Sequence, residues 1–204
     1  FQTVLAMDEN ENLPERVFIT QGKMSALLEN TKKRFARFAI EADEAEWIFA
    51  ITLSIPKSAV ATEERILKVA QVKEILRIAD ERLTGRPLWY IIGDTDFCGY
   101  TIRVDERVLI PRSETEELAM LVVNAAEEGD KILDLCTGSG AIAIAIACEA
   151  AKDKNVSVTA VDISEEALEV ARENARLNKA NVTFVQSDLF KNVRGRFNLI
   201  TSNP

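Results

Sequence analysis

The chain has no histidine among its 204 residues. That excludes a Ser-His-Asp triad, an imidazole general base and every His-ligated metal site. Its three cysteines, Cys98, Cys136 and Cys148, are too few and too scattered for a disulfide framework or a zinc cage. Thiols used so sparingly fit a reducing, cytoplasmic compartment. Long apolar runs are also missing. The longest, residues 141–148, is far too short to cross a bilayer. Asp8, Glu9 and Glu11 arrive before a signal-peptide core could form, so no membrane association is expected. Basic excess is absent too: 25 Lys and Arg against 33 Asp and Glu leave a net charge of −8. That balance argues against a chain that binds nucleic acid directly through its phosphates. What remains is an ordinary globular composition, long enough for one large domain or two small ones.

The chain begins at Phe1, and residues 1–23 carry no nameable chemistry. They read as an upstream segment of unknown role. Residues 24–86 read as a small helical domain. Leu27, Leu28, Phe35 and Phe38 recur near a 3.6-residue spacing, with Lys32, Lys33, Arg34 and Arg37 between them. That basic run is either a docking patch or a solvated face. A second helix fits residues 43–53, closed off by Pro56. A third is expected with Thr62 as its cap, Glu63 and Glu64 in the first turn, then Ile66, Val69, Ile75, Ile78 and Leu83, and a stop at Gly85. Residues 87–112 read as a β-ribbon linker, with strands at 90–92, around Phe97 and at 100–104. Ser113 and Glu116 form an S-x-x-E pattern that should cap a helix running to about Ala126. From there to Pro204 strands and helices alternate: strand 132–135, helix 140–150, strand 156–161, helix 164–177, then strands 182–185 and 197–201. Such alternation predicts a parallel, doubly wound α/β sheet.

Four constellations end strands of that sheet. The first is Asp134-Leu135-Cys136-Thr137-Gly138-Ser139-Gly140, lying directly between a strand and a helix. Gly138 and Gly140 allow a sharp turn and close approach of a ligand to the main chain. With Ala143 as a stand-in for a third glycine, the run is also a passable dinucleotide fingerprint. Asp134 argues for another ligand. A carboxylate there repels a pyrophosphate but suits an amine and a sulfonium, which favours S-adenosylmethionine. The second is Asp162, placed to take both ribose hydroxyls of a nucleotide, or to cap the following helix. Ser164 fits the capping task better. The third is Gln186-Ser187-Asp188-Leu189-Phe190. Here Asp188 would accept the amine of an adenine while Leu189 or Phe190 packs near the base, or it is merely a turn aspartate. The fourth is Ser202-Asn203-Pro204, weak alone because Asn-Pro commonly starts turns.

These residues together resemble a known family. PLWYIIGDTDFCGYTIRVDERVLIPRSETEEL, then ILDLCTGSGAIAIAIA, AVDISEEALEVARENA, SDLF and SNP, is similar to the N5-glutamine methyltransferases that modify peptide chain release factors. The resemblance runs from about Met24 to Pro204. It implies a Rossmann-like class I S-adenosylmethionine-dependent methyltransferase domain over residues 113–204, preceded by a helical substrate-docking domain. It implies S-adenosylmethionine as cofactor, no metal, and the glutamine of the Gly-Gly-Gln loop of class-one release factors as acceptor. The donor would lie on Asp134, Cys136, Thr137, Gly138, Ser139 and Gly140, with Asp162 at its ribose and Asp188 and Leu189 flanking its adenine. Asn203 and Pro204 match the first half of the family's N-P-P-Y motif and would be catalytic, with Asn203 also bordering the donor. Two departures stand out: Cys136 replaces the usual first glycine of the loop, and Ser113 replaces the usual proline of I-P-R-P-E-T. The chain ends before the second proline and the tyrosine, so the sheet is expected to be incomplete after its fourth strand.

Other activities share these features. A DNA amino-methyltransferase uses a similar clamp but should show a basic face, against which the charge of −8 argues. A glutamine methyltransferase acting on a ribosomal protein fits nearly as well. A non-catalytic nucleotide-binding module would have no need of Asn203.

Overall fold

The computed structural model describes residues 22–150 and 152–204, so residues 1–21 of the upstream segment lie outside the described residues. The chain divides into two compact units, one ending at Ile91 and the other beginning at Ile92.

In the first unit Gly22–Lys23 (β1) pairs antiparallel with Ile66–Leu67 (β2). The helices are Met24–Ala36 (α1), Ala42–Leu53 (α2), Lys57–Val60 (α3) and Val69–Leu83 (α4), with Leu88–Ile92 (α5) at the boundary. As the 3.6-residue spacing requires, α1 buries Leu27, Leu28 and Phe35. Phe38 lies past the helix end and is exposed, a departure from the expected stripe. The basic run of α1 is partly used inside this unit. Lys32 pairs with Glu46 of α2, and Arg34 pairs with Asp80 of α4.

Two expectations fail here for local reasons. The third long helix does not start at Thr62, because Ile66 and Leu67 pair with β1 and delay it to Val69. The Lys68 N–H then donates to the Gln71 side chain at 2.9 Å, while Thr62 donates to the Ala59 carbonyl at 3.3 Å. Residues 90–92 form helix, not strand. The Pro87 carbonyl accepts the N–H groups of Tyr90 and Ile91, at 3.1 and 3.3 Å, and proline has no N–H to lose at a helix start.

The second unit opens with a hairpin, Asp94–Phe97 (β3) and Tyr100–Arg103 (β4). Cys98 and Gly99 join the strands with φ of 54° and 79°, the left-handed pair that matches strand twist in a two-residue turn. The next helix, Glu114–Ala125 (α6), lacks the expected capping box. Ser113 is already helical, and its hydroxyl donates to the Glu114 carboxylate at 3.3 Å. Glu116 instead accepts the Cys98 N–H of the hairpin turn at 3.1 Å.

Four parallel strands follow: Lys131–Leu135 (β5), Ser157–Asp162 (β6), Val182–Gln186 (β7) and Leu199–Ser202 (β8). They lie in the order β7-β6-β5-β8. The chain winds outward from β5 to β7, then reverses to place β8 on the other side of β5. That reversal is the doubly wound topology. Ala141–Ala150 (α7) and Glu165–Leu177 (α8) make the crossovers. α7 is apolar almost all round because the sheet and the flanking helices enclose it. Ser164 caps α8 as expected, its hydroxyl accepting the Ala167 N–H at 3.1 Å. Leu133, Leu135 and Val161 form a core cluster closed by Val185, Val193 and Phe197. β8 lies at a sheet edge with Ile200 exposed. No helix among the described residues is long and apolar enough to cross a membrane.

Candidate active site

All four constellations lie at the carboxyl ends of parallel strands, where open α/β sheets bind ligands beside the point of reversal. The reversal falls between β5 and β8, whose last register pair is Leu135 with Ser202. Leu135 and Ser202 are thus one strand spacing (about 4.8 Å) apart, and Cys136 and Asn203 are the residues that follow them out of the sheet. The Ser202 hydroxyl donates to the Leu135 carbonyl at 3.2 Å and closes that pair.

The loop after β5 is left-handed at every second residue, with φ of 60° at Cys136, 53° at Gly138 and 81° at Gly140. The two glycines answer different needs. A Cβ at Gly140 would stand 3.0 Å from the Cβ of Ala171, so α8 packs directly on the main chain there. A Cβ at Gly138 would meet nothing within 4 Å, so this residue borders open space that a ligand can fill. Cys136 adopts a conformation that glycine holds without strain.

Asp134 works from beneath. It is fully buried, and its Oδ2 accepts the Thr137 hydroxyl at 2.6 Å. Burial pushes its pKa up to about 7, opposed by the Thr137 hydrogen bond and the Ala143 N–H and reinforced by the charge of Asp162. The other oxygen of Asp134, Oδ1, is buried without a hydrogen-bond partner among the described residues. Asp162 ties three strand ends together. Its Oδ2 accepts the Gly138 N–H at 2.8 Å, its Oδ1 the Ser164 N–H at 3.0 Å, and its carbonyl the Ser187 N–H at 2.9 Å. A carboxylate oxygen has two lone pairs, so each Oδ retains one for a further donor.

The third constellation is looser. Asp188 is exposed and paired with Lys191, while Leu189 (φ 48°) and Phe190 present apolar surface to solvent. Beside the reversal, Asn203 Nδ2 donates to the Thr115 hydroxyl at 3.2 Å. That bond turns the Asn203 carbonyl oxygen away from Thr115. Pro204 follows it and is exposed.

The Methyltransferase small domain model matches residues 115–204, and the PrmC N-terminal domain model matches residues 26–93. The release factor glutamine methyltransferase of Streptococcus pneumoniae is 37% identical over 186 residues, covering 89% of this chain and 65% of that protein. Its counterpart from Lactococcus lactis is 44% identical over 135 residues, 66% of this chain and 49% of that protein. Over most of its length the chain is similar to release factor glutamine methyltransferases. It spans about half to two thirds of the length of these relatives. A crystal structure of ribosomal protein L11 methylase from Lactobacillus delbrueckii subsp. bulgaricus is 37% identical, covers 50% of this chain and 52% of that chain, and superposes with a TM-score of 0.42, too loosely to bear on function.

Two further residues join the site, although the sequence alone assigns neither a role. Thr115, the last residue of the I-P-R-S-E-T run, supports Asn203 from the first turn of α6. Asn174 of α8 is fully buried and donates to the Ser139 carbonyl at 2.9 Å. Its signal is a polar side chain on the apolar face formed with Leu168, Ala171 and Ala175.

Proposed function

We propose that this chain carries the donor site and part of the acceptor site of an enzyme that transfers a methyl group from S-adenosylmethionine to the side-chain amide nitrogen of glutamine in the Gly-Gly-Gln loop of class-one release factors. The observation that carries this reading is the adjacency of Cys136 and Asn203 past the pair Leu135–Ser202. It places a glycine loop and an amide-bearing side chain within reach of one another, as a direct transfer between two bound molecules demands. Such a substrate also fits a cytoplasmic protein.

The room at Gly138 and the carboxylate of Asp162 beside it fit a donor with a ribose and a close approach to the main chain. Thr137, Gly138, Ser139 and Gly140 would line it, Asp162 would accept its ribose hydroxyls, and Asp188 and Leu189 would flank its adenine. When bound, S-adenosylmethionine supplies an electrophilic methyl carbon on a positively charged sulfur.

A glutamine amide is a poor nucleophile because its nitrogen lone pair is delocalised into the carbonyl. No side chain at the site can remove an amide proton near neutral pH, so activation has to be geometric. Asn203 Oδ1 and the Pro204 carbonyl each accept one amide N–H, which directs the lone pair toward the donor. Nδ2 of Asn203, held by Thr115, fixes the orientation of Oδ1. The acceptor dipoles stabilise the positive charge that grows on nitrogen. The bound donor would supply the methyl group with loss of its C–S bond, and the nitrogen would then shed one proton to water.

Incubation with the donor and a class-one release factor, followed by peptide mass spectrometry, should find one methyl group on that glutamine. Methylation confined to another protein or to DNA would defeat the proposal.

A further inference from the structure

Asn174 of α8 and Asn178, the residue that caps its C-terminus, lie one turn apart, and both reach β4. Asn178 Nδ2 donates to the Thr101 carbonyl at 2.8 Å. Asn174 engages both backbone groups of Arg103: its Oδ1 accepts the N–H at 2.8 Å, and its Nδ2 donates to the carbonyl at 3.0 Å. The fit is metric. Four helical residues rise about 6 Å and two strand residues advance about 6.6 Å, so i and i+4 on the helix fall opposite alternate strand residues.

The two asparagines differ in their second donation. Asn178 gives it to the carbonyl of Asn174 within the same helix, at 2.9 Å. Asn174 gives it to Ser139 in the glycine loop, at 2.9 Å. The Ser139–Gly140 peptide is thus fixed at both ends, since the Gly140 N–H donates to the Thr137 carbonyl at 2.8 Å. Ala171, one turn earlier on α8, occupies the place of a Gly140 side chain. On the hairpin side, Arg103 opens the stretch of residues 104–113 that leads to Thr115, the support of Asn203.

We propose that Asn174 is a positioning residue for the transfer, a single buried carboxamide that sets the glycine loop against the stretch leading to the Asn203 support. The proposal rests on the reading that the glycine loop holds the donor. Asn174 touches neither reactant and acts through Ser139 on one side and Arg103 on the other. Truncating it leaves the buried Ser139 carbonyl and both part-buried backbone groups of Arg103 without this partner and frees the loop peptide to rotate.

The test compares Asn174→Ala with Asn178→Ala, which also removes a hairpin contact but leaves the loop untouched. S-adenosylmethionine binding is followed by calorimetry, transfer by turnover at saturating donor, and folding by thermal melting. Asn174→Ala should weaken donor binding about tenfold and slow saturated turnover by at least as much, the scale of a lost buried hydrogen bond. Asn178→Ala should lower the melting temperature while donor affinity stays within about twofold, as expected of contacts that do not reach the glycine loop. Equal donor affinities in two folded variants would overturn the inference.

Should Asn174→Ala fail to fold, Asn174→Asp decides. As a carboxylate it repels the Arg103 and Ser139 carbonyls, whereas as a neutral acid it donates to one of them. Its donor affinity, relative to wild type, should recover as pH falls, and a flat ratio would overturn the inference. A wild-type protein that binds no donor would overturn the reading of the loop itself, and this inference with it.

Discussion

Asp162 holds Gly138 across the crevice: its Oδ2 accepts the Gly138 N–H at 2.8 Å, so the end of β6 fixes the loop that follows β5. The same carboxylate caps the turn into α8 through Ser164, and its own carbonyl receives the chain leaving β7 through Ser187. The shape of the proposed donor site therefore depends on one half-buried side chain.

Asp162→Ala should weaken binding of S-adenosylmethionine by about 1.5–3 kcal/mol, the range for hydrogen bonds to a charged group. Asp162→Asn, which keeps one acceptor oxygen, should fall between the variant and wild type. Calorimetry reads both. An alanine variant with wild-type affinity would remove Asp162 from the donor site.

Asn203→Ala should cut transfer by on the order of 10²–10³, by analogy with loss of one preorganised oxyanion-hole donor. Donor affinity should change far less. Thr115→Val keeps Asn203 but frees its side chain, so turnover should drop by about tenfold, the weight of one hydrogen bond, and Thr115→Ser should restore it. Steady-state rates on release factor give the order wild type, then Thr115→Ser, Thr115→Val and Asn203→Ala. Equal turnover in Thr115→Val and wild type would show that Asn203 needs no support.

The parallel sheet was legible because each strand ends in a residue type with a chemical reason to be there, and because α7 is a continuous apolar run and α8 is periodic over several turns. The N-terminal half was harder. Ile66 and Leu67 continue an apolar helical period, yet a two-residue pairing with Gly22 and Lys23, far upstream, claims them for a strand. Tyr90-Ile91-Ile92 is a strand by composition and a helix by its position after Pro87. Ser113 and Glu116 have the spacing of a capping box, but the Cys98 N–H of the hairpin turn takes the glutamate. The first and third misses come from long-range hydrogen bonds outcompeting local ones, and the second from a helix start set by Pro87. At the site, the ends of β5 and β6 were readable as motifs. Thr115 and Asn174 were not, because their roles exist only once distant segments meet.

Gly140→Ala and Gly138→Ala should separate stability from binding. At Gly140 the new methyl is pressed against Ala171 and the left-handed φ is strained, so unfolding should become easier by about 2–4 kcal/mol. At Gly138 the strain is alone, about 1–2 kcal/mol, but the methyl enters the space assigned to the donor. Urea denaturation should rank Gly140→Ala as the less stable of the two. Donor calorimetry should find that Gly138→Ala loses affinity even where it is fully folded. A Gly138→Ala protein that binds as wild type would place the donor elsewhere.

Asp134 makes stability depend on pH in the sense opposite to most carboxylates. Burial raises its folded-state pKa from 3.8 to about 7, so between those values the native protein keeps a proton that the unfolded chain has released. A state that binds the extra proton loses ground as protons become scarce. Its contribution is complete below about pH 4, shrinks as pH rises through the window and is gone above about pH 7. Asp105 and Glu149 act the other way. The Arg107 guanidinium lowers the first and Lys152 lowers the second, so the stability they add is lost as pH falls. Both groups are present in wild type and in Asp134→Asn, so the difference between the two proteins isolates Asp134. Asparagine is neutral at every pH and can still accept the Thr137 hydroxyl. Relative to wild type, Asp134→Asn should therefore gain stability steadily between about pH 4 and pH 7 and hold a constant advantage above that. Urea unfolding of both proteins at a series of pH values measures the gap. A gap that does not change with pH would mean that Asp134 stays ionised in the folded protein and that the first turn of α7, not a proton, neutralises it.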